Sequence, residues 1–213
     1  MELSFAEGRV LGCLVEKQLL TPQAYPLTDN ALVAACNQTT SRDPVVSYDT
    51  ATVRLAVRSL RENGFLRTTH RTGERADKHE HLLGPALGLS APEVALLAVL
   101  LLRGPQTAGE LRARTDRMQS FASVEEVESV LDGLASRAEP LVVRLERQPG
   151  RKEARYADAL VPRDLAAAPP PAERADGERP PSVAELAREV AALRTEVADL
   201  RTIVTGLAGR GED

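Results

Sequence analysis

The chain has 213 residues, 43% of them hydrophobic and 3% aromatic, with no tryptophan and a formal net charge of −4. That length holds one or two domains, with a core that must be built from Leu, Val and Ala. The acidic balance excludes general polyanion binding, so any contact with nucleic acid needs a local basic patch, and the scarcity of rings argues against recognising single strands by base stacking.

The longest uninterrupted apolar run, Val94–Leu102, falls well short of the ~20 residues a membrane helix needs. The opening MELSFAEGR lacks the basic-then-apolar pattern of a secretory signal. Cys13 and Cys36 stand far apart inside apolar helical patterns, and both are expected as buried, reduced small hydrophobes. A cytoplasmic protein without a membrane partner is expected.

Residues 3–20 predict a first helix. Ser4 and Glu7 have capping-box spacing, and Val10, Leu11, Leu14 and Val15 form its apolar stripe. The segment TPQAYPLT carries two prolines and reads as an extended connector. Thr28 can cap a second helix, Asp29–Cys36, with Leu32, Val33 and Cys36 facing inward. Asn37–Tyr48 is rich in turn formers and reads as an elongated turn. Within it, Asn37, Gln38 and Arg42 either line a site or hold the turn through side-chain hydrogen bonds to the backbone.

Asp49 is a good cap for a third helix, which Asn63-Gly64 closes. Val53, Ala56, Val57 and Leu60 share one face. Arg54, Arg58 and Arg61, at i, i+4 and i+7, share another. A two-stranded ribbon follows at once: Phe65–Thr69, a tip at Arg71–Asp77, then Lys78–Leu83. A helix running directly into a hairpin is how a winged helix-turn-helix ends, with the helix as reader and the hairpin as wing. Contacts to duplex DNA are therefore expected from Arg54, Arg58 and Arg61 on the helix and from Arg71, Arg75 and Lys78 on the wing. The competing expectation is a solvated face that binds nothing, because Glu62, Glu74, Asp77 and Glu80 dilute the charge. His79 and His81 would share a strand face. Solvated wing histidines are expected rather than a metal site, and no cofactor is implied.

Gly84–Gly88 reads as a short hinge, after which the pattern repeats. Leu89-Ser90-Ala91-Pro92-Glu93 stands where Leu3-Ser4-Phe5-Ala6-Glu7 stood, and Leu96, Leu97, Leu100 and Leu101 reproduce Val10, Leu11, Leu14 and Val15. Thr107 and Glu110 open another helix, and Ser123 caps VEEVESVLDGLASR, with Val127, Val130, Leu131 and Leu134 inward. Leu141–Leu145 and Glu153–Ala157 form a second hairpin about a Pro-Gly turn. This third helix is acidic, with Glu125, Glu126, Glu128 and Asp132. The second wing is basic, with Arg144, Arg147, Arg151, Lys152 and Arg155.

The predicted fold class is mainly α with small β-wings (α+β): two tandem winged-helix domains, residues 1–84 and 89–160. A Pro/Ala-rich linker, 161–181, then leads to a coiled-coil helix, 182–207. Val183, Leu186, Val190, Leu193, Val197, Leu200, Val204 and Leu207 alternate spacings of three and four, with Val at every a and Leu at every d position. β-branched a residues with Leu at d favour a parallel two-stranded coil, so a homodimer is expected.

The runs VLGCLVEKQLLTPQAYPLT, ACNQTTSRDPV, LRGPQTAGELRAR and LVVRLERQPGRKEARY resemble the YceH family of bacterial proteins. The resemblance covers about residues 1–160 plus the trailing coil. It implies tandem winged-helix domains and brings no catalytic residues with it. Two functions compete. One is a DNA-binding protein, a transcriptional regulator or nucleoid-associated factor. The other is a scaffold that docks partner proteins through its winged helices without touching DNA. An enzyme is not expected: there is no Gly-rich phosphate loop and no nucleophile motif.

Overall fold

The first helix starts where the Ser4–Glu7 spacing places it. Ser4 N–H donates to Glu7 Oε2 at 2.6 Å, Glu7 N–H donates to Ser4 Oγ at 3.3 Å, and α1 runs Phe5–Leu20. The computed structural model describes residues 2–70, 76–147 and 153–162, and these residues hold seven α-helices and six short strands. Thr28 Oγ1 accepts from Ala31 N–H and opens α2, Asp29–Cys36. Asp49 Oδ1 accepts from Thr52 N–H at 2.8 Å and opens α3, Thr50–Glu62. Each cap satisfies a first-turn donor that the helix itself leaves unpaired.

The expected connector TPQAYPLT is more ordered than its prolines imply. Pro22–Ala24 form one turn of 3₁₀ helix, and Leu27–Thr28 form a two-residue strand, β1. β2 (Leu66–Thr69) and β3 (Lys78–His81) pair antiparallel, with Arg67 opposite Glu80, and β1 pairs with the other edge of β3. The sheet order is β1-β3-β2.

The second half repeats this order. After the short helix α4 (Leu83–Leu87) come α5 (Ala91–Arg103), β4 (Gln106–Thr107), α6 (Ala108–Thr115), α7 (Val124–Ala135), β5 (Val142–Leu145) and β6 (Arg155–Asp158). Its sheet order, β4-β6-β5, matches that of the first half strand for strand. The class is α+β with small antiparallel sheets. The expected hinge at Gly84–Gly88 is instead largely α4. Gly88, at φ +62°, closes that helix in the left-handed region that glycine adopts without a Cβ clash.

The two halves meet along α1 and α5. Every residue from Val94 to Leu102 is buried, which accounts for the apolar run noted in the sequence. Gly8 and Gly12, one turn apart on α1, let the helices approach. A Cβ at Gly12 would lie 2.8 Å from Leu102 Cγ and 3.3 Å from the Ala98 carbonyl. Main-chain bonds reinforce the contact, from Leu3 N–H to Leu160 O at 2.7 Å and from Asp43 N–H to Leu102 O at 2.9 Å. Arg103 donates to Ser41 Oγ, and Arg137 donates to Leu87 O at 2.6 Å. Residues 1–163 form one compact unit. Val161, the first residue of the expected linker, is buried, and its Cγ2 occupies the space where a Cβ of Gly8 would fall. The rest of that linker beyond Pro162, and the heptad positions from Val183 to Leu207, lie outside the described residues.

Candidate nucleic-acid interface

Helix α3 is built as its two stripes require. Val53, Ala56, Val57 and Leu60 are buried, while Arg54, Arg58 and Arg61 are exposed. The three arginines fall within one narrow sector of the helix, and Leu55, 65% exposed, flanks it. Lys78 is half-buried at the start of β3, opposite Thr28 and Thr69. Arg71 and Arg75 lie outside the described residues. The arms of the hairpin carry two acid–base pairs. Arg67 bonds Glu80 across the strands, and His70 Nδ1 lies 2.9 Å from Asp77 Oδ1.

A carboxylate absent from the sequence expectations ties these elements together. Asp29, the first residue of α2, accepts from Arg54 Nε through Oδ2 at 2.7 Å and from His79 Nε2 through Oδ1 at 2.7 Å. The other ring nitrogen of His79 lies 3.1 Å from Thr68 Oγ1. The chain Thr68–His79–Asp29–Arg54 thus runs from β2 through β3 and α2 to the outer face of α3. Partial burial opposes ionisation of Asp29, but the hydrogen bonds from Arg54 and His79 outweigh it and hold the carboxyl below the usual aspartate value. His79 is 4% exposed, so it is a buried link and not the solvated wing residue expected from sequence.

His81 is also sheltered. Its Nε2 lies 2.6 Å from Gln18 Oε1, and its Nδ1 accepts from Leu83 N–H at 3.3 Å. Burial pushes the imidazole down to about 4. Among the described residues no group of three or more His, Cys, Asp or Glu side chains is placed to hold a metal ion.

In the turn Asn37–Tyr48, between α2 and α3, Thr39, Thr40, Asp43 and Ser47 are exposed, while Asn37 and Gln38 are half-buried and Arg42 is buried. Asn37 clasps Tyr48, accepting from its N–H and donating to its carbonyl, both at 2.8 Å. Arg42, whose side chain is 0% exposed, makes a bidentate pair with Glu16 and donates to Ala35 O and Gln38 Oε1. Burial works against the Glu16 carboxylate, but the Arg42 guanidinium overrides it and keeps the carboxyl below its usual value. Arg9, fully buried in α1, donates to Cys36 O at 3.1 Å and Pro44 O at 2.6 Å and stacks over the Phe5 ring. Of the two expectations for Asn37, Gln38 and Arg42, the geometry matches the one in which they hold the turn. Cys13 and Cys36 are free and buried.

The corresponding face of the second half differs in sign. On α7, Glu125, Glu126 and Asp132 are exposed and Glu128 is half-buried. Arg144 packs over the Tyr156 ring. Arg155, counted among the basic residues of the second hairpin, is buried and donates to Pro105 O, so it faces the core. Arg151 and Lys152 lie outside the described residues.

Comparison with known proteins gives one consistent answer. Residues 3–151 match the family model described as "Protein of unknown function, DUF480". A UPF0502 protein of Geobacter metallireducens is 53% identical over 184 residues, spanning 86% of this chain and 81% of the relative. The UPF0502 protein YceH of Salmonella paratyphi B is 49% identical over 160 residues, spanning 73% of this chain and 74% of the relative. A UPF0502 protein of Klebsiella pneumoniae matches at the same identity and over the same 73% and 74%. None of these names states an activity. The chain belongs to the DUF480 family of bacterial UPF0502 proteins, the family that includes YceH.

Proposed function

We propose that the protein binds duplex DNA through its first half, a winged helix-turn-helix in which α2 and α3 form the helix-turn-helix and β2–β3 the wing. The observation that carries this reading is the exposed stripe Arg54–Arg58–Arg61 on a helix whose opposite flank is fully committed to the core. A helix so anchored presents its guanidinium groups to phosphates and guanine edges at fixed height in a major groove. The second half is a second winged helix with an acidic third helix that phosphate would repel, so it serves as a rigid buttress for α1. The heptad sequence of residues 182–207 suits pairing of two copies, and the protein acts in the cytoplasm as a transcriptional regulator or nucleoid-associated factor.

Fluorescence anisotropy with a random-sequence duplex, titrated across salt, tests this. Wild type gives a log–log salt slope of several units. The triple variant Arg54→Ala/Arg58→Ala/Arg61→Ala loses about two to three units of slope, at about 0.9 for each of the two or three phosphate contacts removed. Absence of binding at low salt, or equal slopes, rejects it. One observation favours a second reading, a scaffold that docks partner proteins. The acidic face of α7 (Glu125, Glu126, Glu128, Asp132) suits a basic partner surface and not DNA. Pull-down with the intact chain and with an α7 charge-reversal variant separates the two.

A further inference from the structure

We infer that Arg54 reads a guanine and that Asp29 positions it to do so. This rests on the duplex-DNA reading above and names the base and the atoms involved. Among the described residues Arg54 donates through Nε alone, to Asp29 Oδ2 at 2.7 Å. The two terminal nitrogens, Nη1 and Nη2, carry the remaining four N–H donors. Two parallel donors on one rigid plane match O6 and N7 of guanine in the major groove. The side chain is 66% exposed, so the fork stands outside the protein surface. Among the described residues Arg58 and Arg61 make no such contact with a carboxylate, and they suit phosphate.

The hold on Arg54 is itself held. The second oxygen of Asp29 bonds Nε2 of buried His79, whose ring is set by Thr68 Oγ1 at its other nitrogen. Asp29 therefore has little freedom to rotate, and the plane of the Arg54 guanidinium is fixed through Nε. Fixing that plane before binding removes much of the ordering cost that a long side chain otherwise meets at an interface. A negative charge beside a phosphate-binding surface also opposes non-specific association. Asp29 thus raises discrimination while lowering affinity for arbitrary sequence.

The test is selection from a pool of synthetic duplexes carrying a randomised central segment, with sequencing of the retained molecules. Wild type is compared with Arg54→Lys, Asp29→Asn and Asp29→Ala. Wild type enriches one guanine position by at least about tenfold, the range expected of a bidentate pair. Arg54→Lys, a change at an exposed side chain, reduces that preference to about threefold or less and leaves the other positions intact. Asp29→Ala also weakens the preference, and its affinity for a fixed random-sequence duplex rises at the same time. A merely structural role would lower both. Asp29→Asn keeps the shape of the hydrogen-bonded link without its charge, and it gives an intermediate preference. A guanine preference retained in both Arg54→Lys and Asp29→Ala overturns the inference and leaves the DNA reading standing, as does retention of duplexes with no guanine preference. If wild type retains no duplex, both readings fall.

Discussion

The close approach of α1 and α5 predicts opposite outcomes for one substitution made at two glycines. In a helix interior, replacing Gly by Ala ordinarily stabilises by about 0.5–1 kcal/mol, because the unfolded chain has less freedom to lose. Gly133, in α7, has nothing within 4 Å of an added Cβ, so Gly133→Ala gains that amount. At Gly12 the same Cβ meets Leu102 Cγ at 2.8 Å, Leu102 Cδ2 at 3.0 Å and the Ala98 carbonyl at 3.3 Å. The carbonyl belongs to the backbone of a fully buried stretch of α5 and has no room to retreat. Overpacking of this kind costs about 1–3 kcal/mol, which exceeds the propensity gain. Gly12→Ala therefore loses about 1 kcal/mol net, and Gly12→Leu loses about 3 kcal/mol or more. Urea unfolding followed by far-UV circular dichroism reads this directly. With a slope of about 2 kcal/mol per molar urea, the Gly12→Ala midpoint falls by about 0.5 M and the Gly133→Ala midpoint rises by about 0.3–0.5 M. A Gly12→Ala midpoint at or above that of Gly133→Ala refutes the packing argument.

Two further outcomes follow from buried charge. Arg42→Met leaves the Glu16 carboxylate with the Lys17 ammonium at 3.4 Å in place of its bidentate guanidinium partner, so urea unfolding at pH 7 shows a loss of about 3 kcal/mol. A loss below about 1 kcal/mol contradicts the role given to the pair. Glu16 has a lowered folded-state value, so its stabilisation is complete above its unfolded value and is lost as pH falls below about 4.5. His81 is lowered to about 4, so the unfolded chain takes up its proton first as pH falls. Stability therefore drops between about pH 6.5 and 4 by about 1–2 kcal/mol after discounting for partial exposure. The cause is burial of the ring, which disfavours the imidazolium, and a proton on Nδ1 would also expel the Leu83 N–H. His81→Gln flattens this part of the unfolding-versus-pH profile, and an unchanged profile refutes the assignment.

What the sequence makes legible here is local. The caps at Ser4, Thr28, Asp49, Ser90, Thr107 and Ser123 all open helices where the spacing puts them, because a cap and its partner lie within one turn. The same holds for the inward and outward stripes of α3. The two-residue strands β1 and β4 were hidden, since a strand of that length has no period to detect. Gly84–Gly88 misled because glycine marks helix ends as well as flexible joints, and here Gly88 ends α4. The polar links were out of reach for a different reason. Asp29 meets Arg54 and His79, and Arg42 meets Glu16, across wide gaps in sequence that only the packing of α1, α2, α3 and β3 closes. Gly8 and Gly12 lie one turn apart on α1, but that spacing gives no hint of the helix that lies against them.

The claim that α3 is the DNA-facing element is tested most directly by amide chemical shifts. Isotope-labelled protein is titrated with a duplex taken from the selected pool, and perturbed amides are mapped onto the chain. The account predicts perturbations concentrated on α3 (Thr50–Glu62), on the start of α2 around Asp29, and on the β2–β3 hairpin, with α7 silent. Perturbations centred on α7 and the second hairpin, or none at saturating duplex, would contradict it.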